Sequence, residues 1–316
     1  MTAEIAVMNK RAIALAADST VTVGERAKFY NSANKLFMLS KYEPVGIMIY
    51  NNAEFMGVPW ETLIKEYREY LGKACKDKLE EYADNFFMFL YSRLELFTEY
   101  EERYFEAVVN GYIEEMADYF EYIYKRKVEQ VKKKLSKKEI TALANQAIDE
   151  YYHRIMSCED LDDVPENTMT KIEAAYSEKL ESILNEYLMV IISDDDHKDK
   201  LREASYNLFT KNIFTGYYTG VVFAGFGEKD TFPVLISYNV SGIIVDYFKK
   251  GIVEKVEINT NNDFRIIPFA QTDTVETFLF GINYNYLQTL DNEFRKHVLN
   301  KLGTITDNNL EGEGEN

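Results

Sequence analysis

Thr2, Asp18 and Lys35 are the residues of this 316-residue chain whose types and spacing could do chemistry. A threonine hydroxyl is a weak nucleophile until a base takes its proton. A threonine at the start of a chain carries such a base itself, because an α-amine has an ordinary pKa of about 7.7–8.0. Threonine is the second residue here, so removal of Met1 would expose it. A nearby lysine ammonium disfavours protonation of the amine and stabilises the developing alkoxide. At about 4 Å and an intermediate dielectric that interaction is worth roughly 4 kcal/mol before screening. An aspartate beside the lysine keeps it charged and oriented. The chemistry expected of this set is attack on an amide carbonyl, an acyl ester on Thr2, and hydrolysis of that ester with the same amine as base.

The segments carrying these residues must bring them together. "TAEIAV" and "AIALAADS" have the alternation of strands, with a turn signal at Asn9–Lys10–Arg11. A fold-back centred on residue 10 sets Thr2 across from Asp18. A second hairpin through "GERAK", centred between Arg26 and Ala27, sets Lys35 across from Asp18. Directly opposed residues share a face with β-carbons about 5 Å apart, so the three side chains would meet at one end of three neighbouring strands. The plain alternative is that Thr2 is an ordinary second residue and Asp18–Lys35 an ion pair on a hairpin.

Composition sets the frame. The chain is 46% hydrophobic and 14% aromatic, enough for a substantial core, and its net charge is −17. An acidic surface repels phosphate backbones and anionic lipid, so neither nucleic acid nor membrane is expected as a partner. Cys75 and Cys158 have no metal or redox spacing, and with no leader or long apolar run the expected compartment is cytoplasmic. Neither a cofactor nor a metal is expected. His153, His197 and His297 are scattered, and "SDDDHK" reads as a solvated turn between helices in preference to a cation site. The basic run "KRKVEQVKKKLSKK" is by default a solvated helix end, with a docking patch for an acidic partner as the sharper alternative.

Three textures divide the chain. Residues 1 to about 55 are strand-like. Residues from about 60 to 212 carry apolar side chains at three- and four-residue spacing, as amphipathic helices do, with breaks at "SCEDLDDVPENT" and "SDDDHKDK". Strands return at "YYTGVVFAGFG", "FPVLISYNV", "GIIVDYFKKG", "IVEKVEIN" and "DFRIIPFAQ", followed by a helical tail and a disordered-looking "EGEGEN". Strands on both sides of the helical block favour one α+β domain, residues 1–58 with 213–316, interrupted by a helical insertion at 59–212.

The start of the chain resembles a proteasome-type subunit, a family of N-terminal-nucleophile hydrolases. The matching features are Thr2 followed by a strand, "AIALAADSTVTVG" with Asp18, and "NSANKLFML" with Lys35 before an apolar strand. Later segments match in order only. The resemblance implies a four-layer α-β-β-α sandwich, peptide or unfolded protein as substrate, self-assembly into a ring, and a partner ATPase. It also implies an oxyanion donor from the backbone near Tyr50 and Asn51, which stand where the family has a glycine pair. Gln271, Thr272 and Asp273 replace a glycine–serine–glycine, leaving Thr272 to supply the supporting hydroxyl. Asp307 is the nearest candidate for an aspartate late in the chain. Loss of those glycines and of the late aspartate–serine pair admits two other expectations, a non-catalytic assembly or binding module and a small-amide hydrolase of the same fold.

Overall fold

The computed structural model describes residues 3–18, 21–23, 28–30, 34–188, 194–215, 217–270, 275, 277–278, 281–283 and 286–298. In chain order the strands are β1 (Ala3–Asn9), β2 (Ile13–Ala17), β3 (Val21–Val23), β4 (Lys28–Tyr30), β5 (Leu36–Met38), β6 (Val45–Tyr50), β7 (Glu54–Phe55) and β8 (Val58–Pro59). Helices follow as α1 (Trp60–Leu71), α2 (Leu79–Tyr91), α3 (Glu101–Val131), α4 (Lys137–Met156), α5 (Thr168–Leu188) and α6 (Asp195–Asn207). The strands β9 (Thr219–Gly225), β10 (Val234–Ile244), β11 (Tyr247–Glu257) and β12 (Phe264–Ala270) come last. Residues 286–298 are a further helix.

Two antiparallel sheets lie face to face. One has the order β12-β1-β2, the other β11-β10-β9-β6-β5. Alternation along β1 sends Glu4, Ala6 and Met8 inward, where Ala6 and Met8 meet Ile267 and Phe269 of β12 and Met48, Val222, Ala224 and Leu235 of the larger sheet. The fold class is α+β, as the textures of the sequence predict.

The first hairpin corrects the expected register. Asn9 Oδ1 accepts from the backbone N–H of Arg11 (2.8 Å) and of Ala12 (3.2 Å), and Asn9 N donates to Ala12 O (3.0 Å). An asparagine side chain that closes its own turn in this way leaves a loop of only Lys10 and Arg11. The register becomes Glu4↔Ala17 and Met8↔Ile13, with Asp18 N donating to Ala3 O at 3.1 Å. Asp18 therefore faces Ala3, not Thr2. The second hairpin is also displaced. β3 and β4 pair with each other, Val21↔Tyr30, in a register one residue earlier than expected, and form their own two-stranded sheet. Lys35 leads into β5 of the five-stranded sheet, so the three segments are not neighbouring strands of one sheet.

The outer face of the five-stranded sheet is covered by helices. α1 buries Trp60, Leu63, Ile64, Tyr67 and Leu71, the three- and four-residue spacing seen in the sequence, and ends at Gly72, whose φ of 56° suits glycine. α2 lays Phe86 and Phe87 on Phe223, with ring centroids 5.7 and 5.6 Å apart. A buried aromatic side chain contributes about 1.5–3 kcal/mol relative to exposure, so these contacts weld the helical block to the sheet. One continuous apolar core runs from Val221 and Phe223 through α1, α2 and α3 to α5 and α6. The expected break at "SDDDHKDK" instead starts α6, with Asp194 as its N-cap accepting from His197 N at 3.1 Å.

Candidate active site

Lys35 and Asp18 meet across the sandwich. The backbone of Lys35 is fixed at the edge of the five-stranded sheet, where its carbonyl accepts from Ile49 N of β6 at 2.9 Å. Asp18 follows β2 of the smaller sheet. Lys35 Nζ donates to Asp18 Oδ1 at 2.5 Å, with the lysine side chain 8% exposed and the aspartate 34%. The expected proximity is present, and it arises from the stacking of two sheets, with hairpin opposition playing no part.

Glu4 lies beside this pair. It is fully buried, and neither carboxylate oxygen has a hydrogen-bond partner among the described residues. It sits on β1 between Ala17 of β2 and Phe269 of β12. Burial pushes its carboxyl up to about 8; Lys35 pulls the other way and Asp18 adds to the rise. At neutral pH it is a neutral acid.

Tyr50 closes the same end of the inter-sheet space. Its ring lies flat on Gly220, where an added β-carbon would fall 1.9 Å from Tyr50 Cζ, and 5.8 Å from the ring of Phe269. Only glycine at 220 leaves room for the ring. Burial raises the Tyr50 phenol, and the neighbouring Ser237 hydroxyl lowers it. That hydroxyl is itself buried and outside regular hydrogen-bond geometry. Asn51 adopts a left-handed φ of 73°, and its Nδ2 donates to Tyr218 O at 2.9 Å. A left-handed position is where glycine was expected, and asparagine is among the side chains that tolerate it.

Thr2, Thr272 and Asp307 lie outside the described residues, as do Gln271 and Asp273. β12 ends at Ala270, paired with Ala3.

No protein-family model and no curated protein matches this chain.

Two residues of the cluster escaped the reading of the sequence, Glu4 and Ser237. Glu4 had a signal. In "AEIAVM" it shares the inward parity of Ala6 and Met8, and an acid on the apolar face of a strand is a buried polar group in need of explanation. Ser237 had none, because its neighbourhood is set by strand order.

Elsewhere, Asp194, Asp196 and His197 place ligand atoms within 4.8 Å of one another. Their charges are met within the chain: His197 Nδ1 lies 2.5 Å from Asp194 Oδ1, and Lys200 Nζ lies 3.0 Å from Asp196 and 2.8 Å from Asp149. This is an ion-pair network at a helix start. In the basic run, Lys125 pairs with Glu121 and Lys133 lies 4.0 Å from Glu139. Cys75 and Cys158 are free thiols. No helix among the described residues is long and apolar enough to cross a membrane.

Proposed function

We propose that the chain is an N-terminal-threonine amide hydrolase of the proteasome-like type, in which Thr2, freed by loss of Met1, is the nucleophile. The observation that carries this reading is the 2.5 Å contact of Lys35 with Asp18 at the end of the sandwich where β1 begins. A buried ammonium held by an aspartate beside the chain start is what the chemistry asks for, since it keeps the α-amine unprotonated and favours the alkoxide. Peptide or unfolded protein is the substrate class of this reading, with self-assembly into a ring and docking of a partner ATPase.

The finer fold belongs to the same proposal. The outer face of the three-stranded sheet presents Ile5, Val7, Ile266 and Phe264, and the 286–298 helix carries an apolar stripe of Leu287, Leu290, Phe294 and Val298, all at least a third exposed along the helix. In this proposal the two apolar faces pack on each other as the fourth layer of an α-β-β-α sandwich. A crosslink between Val7→Cys and Leu290→Cys within one chain tests it; no intrachain product counts against that layer.

The catalytic reading is tested by intact mass and by a threonine-directed electrophile. A chain starting at Thr2 that forms one adduct, lost in Thr2→Ala, is the expected result; retained Met1 overturns it. A turnover screen then separates peptides from small amides. The second reading, a non-catalytic assembly module, is favoured by Tyr50, whose ring fills the space over Gly220. It predicts a defined oligomer with no adduct.

A further inference from the structure

We propose that Glu4 is a positioning residue for Lys35: once charged, its carboxylate draws the Lys35 ammonium away from Asp18, so the site is assembled only while Glu4 carries its proton. This deepens the reading of Asp18 and Lys35 as a reactive site and rests on it for the effect on activity. The coupling of Glu4 to Lys35 does not depend on it.

The geometry leaves Glu4 few choices. Its neighbours across the strands are Ala17 and Phe269, whose side chains offer no donor. Among the described residues, the five-stranded sheet brings to this end the phenol of Tyr50, on which Glu4 acts electrostatically, and the hydroxyl of Ser237 beside that phenol, with Tyr218 acting on Tyr50 as well. The charged groups that act on Glu4 are Lys35, which favours its ionised form, and Asp18, which opposes it. Among the described residues neither Glu4 oxygen has a hydrogen-bond partner, and the side chain is fully buried. A protonated carboxyl tolerates such a place; a bare carboxylate does not, and must find a cation or a donor. Among the described residues, Lys35 is the cation whose charge acts on Glu4. Ionised Glu4 and Asp18 then compete for one ammonium, and the three groups titrate as a coupled set.

Burial sets the pH at which this happens. With its carboxyl pushed up to about 8, Glu4 is neutral at pH 7 and charged at pH 9. A glutamate on the inner face thus limits the alkaline range of a site that otherwise gains from higher pH, as the α-amine loses its proton.

The test uses the full chain labelled with 15N-lysine. The Lys35 side-chain ammonium resonance, assigned by its loss in Lys35→Arg, is followed from pH 6 to 10. The expected result is an inflection near pH 8, absent in Glu4→Gln, which keeps the shape of the neutral acid. In Asp18→Asn the inflection moves at least one pH unit lower, because the opposing charge is gone and Lys35 is released to Glu4. A Lys35 titration that is the same in Glu4→Gln as in the parent overturns the proposal. So does an inflection that stays in place in Asp18→Asn, should Glu4→Gln fail to fold. For activity, adduct formation at Thr2 is expected to fall about tenfold from pH 7 to 9 in the parent and to hold or rise in Glu4→Gln; superimposable profiles overturn the positioning role. Absence of adduct in every variant, with the Lys35 inflection present and removed by Glu4→Gln, sinks the hydrolase reading and leaves the Glu4–Lys35 coupling standing.

Discussion

Lys35 Nζ lies 2.5 Å from Asp18 Oδ1, and the two residues come from different sheets: Asp18 leaves β2 of the three-stranded sheet and Lys35 enters β5 of the five-stranded one. The pair is a tie across the open end of the sandwich, and its two members are unequally buried.

That inequality makes an asymmetric prediction. Asp18→Asn takes the Asp18 carboxylate from an ammonium that is 8% exposed, whereas Lys35→Met leaves an aspartate that is 34% exposed and that water reaches more easily. Removing one partner of a buried pair costs about 3–5 kcal/mol at the upper end, because the other charge stays desolvated. Urea unfolding at about pH 5, where Glu4 keeps its proton and cannot take the place of Asp18, is expected to show Asp18→Asn as the more destabilised, by about 1 kcal/mol or more. Equal losses, or the reverse order, contradict this account of the pair.

Glu4 makes stability depend on pH in a defined direction. Its carboxyl rises from an ordinary 4.5 to about 8 on folding, so the folded chain holds a proton that the unfolded chain has lost. The stability this contributes is complete below pH 4.5 and is lost as pH climbs to about 8. The slope is at most about 1.4 kcal/mol per pH unit. Glu4→Gln, neutral throughout, is expected to flatten the denaturation midpoint over that window. A parent whose midpoint is already flat across it would show that Glu4 ionises normally.

Gly220 and Tyr50 form a size lock. A β-carbon at 220 would overlap the Tyr50 ring at 1.9 Å, and the ring is backed by Phe269. Gly220→Ala is expected to cost about 1–3 kcal/mol through overpacking. Tyr50→Ala should recover most of that cost when combined with it, giving a coupling energy of about 1 kcal/mol or more in a double-mutant cycle. Additive losses would mean that the ring moves aside freely.

Lys249 staples the end of the helical block to the larger sheet. Its buried Nζ donates to Leu208 O and, at 2.5 Å, to Ile213 O, and stands 4.7 Å from the centroid of Phe214. Burial pulls its amine down to about 7 from 10.5. Lys249→Met keeps the length and strands two carbonyls, at about 1–3 kcal/mol for a buried group left unsatisfied. The sign of the pH effect is opposite to that of Glu4. Between about pH 7 and 10.5 the unfolded lysine holds more protons than the folded one, so the parent gains stability with rising pH. Calorimetry of both proteins at pH 7 and 9.5 should therefore show the gap between them widening at the higher pH.

Much of the architecture was legible in the amino-acid order. Alternation in "AEIAVMN" and the spacing of Trp60, Leu63, Ile64 and Tyr67 specify a strand and a helix through contacts that each segment makes with itself. The association of Asp18 with Lys35 was legible as complementary charge. Less legible were the quantities that depend on a single local bond or on distant packing. The carboxamide of Asn9 moved the first hairpin by half a residue and set Asp18 against Ala3. The acidic start of α6 looked like a loop because a capping aspartate and a solvated turn use the same residues.

The sequence by itself determined the α+β class, the strand–helix–strand order and the residue types able to hold and move a proton near the start of the chain, because periodicity and side-chain chemistry are local properties. Only the tertiary structure decided that Lys35 reaches Asp18 from the opposite sheet, that Tyr50 lies on Gly220, and that Glu4 is buried beside them with no hydrogen-bond partner for its oxygens among the described residues. Those relations follow from which faces exclude water when separate segments of the chain stack together, and burial of that kind sets both the distance between charges and the proton each one keeps.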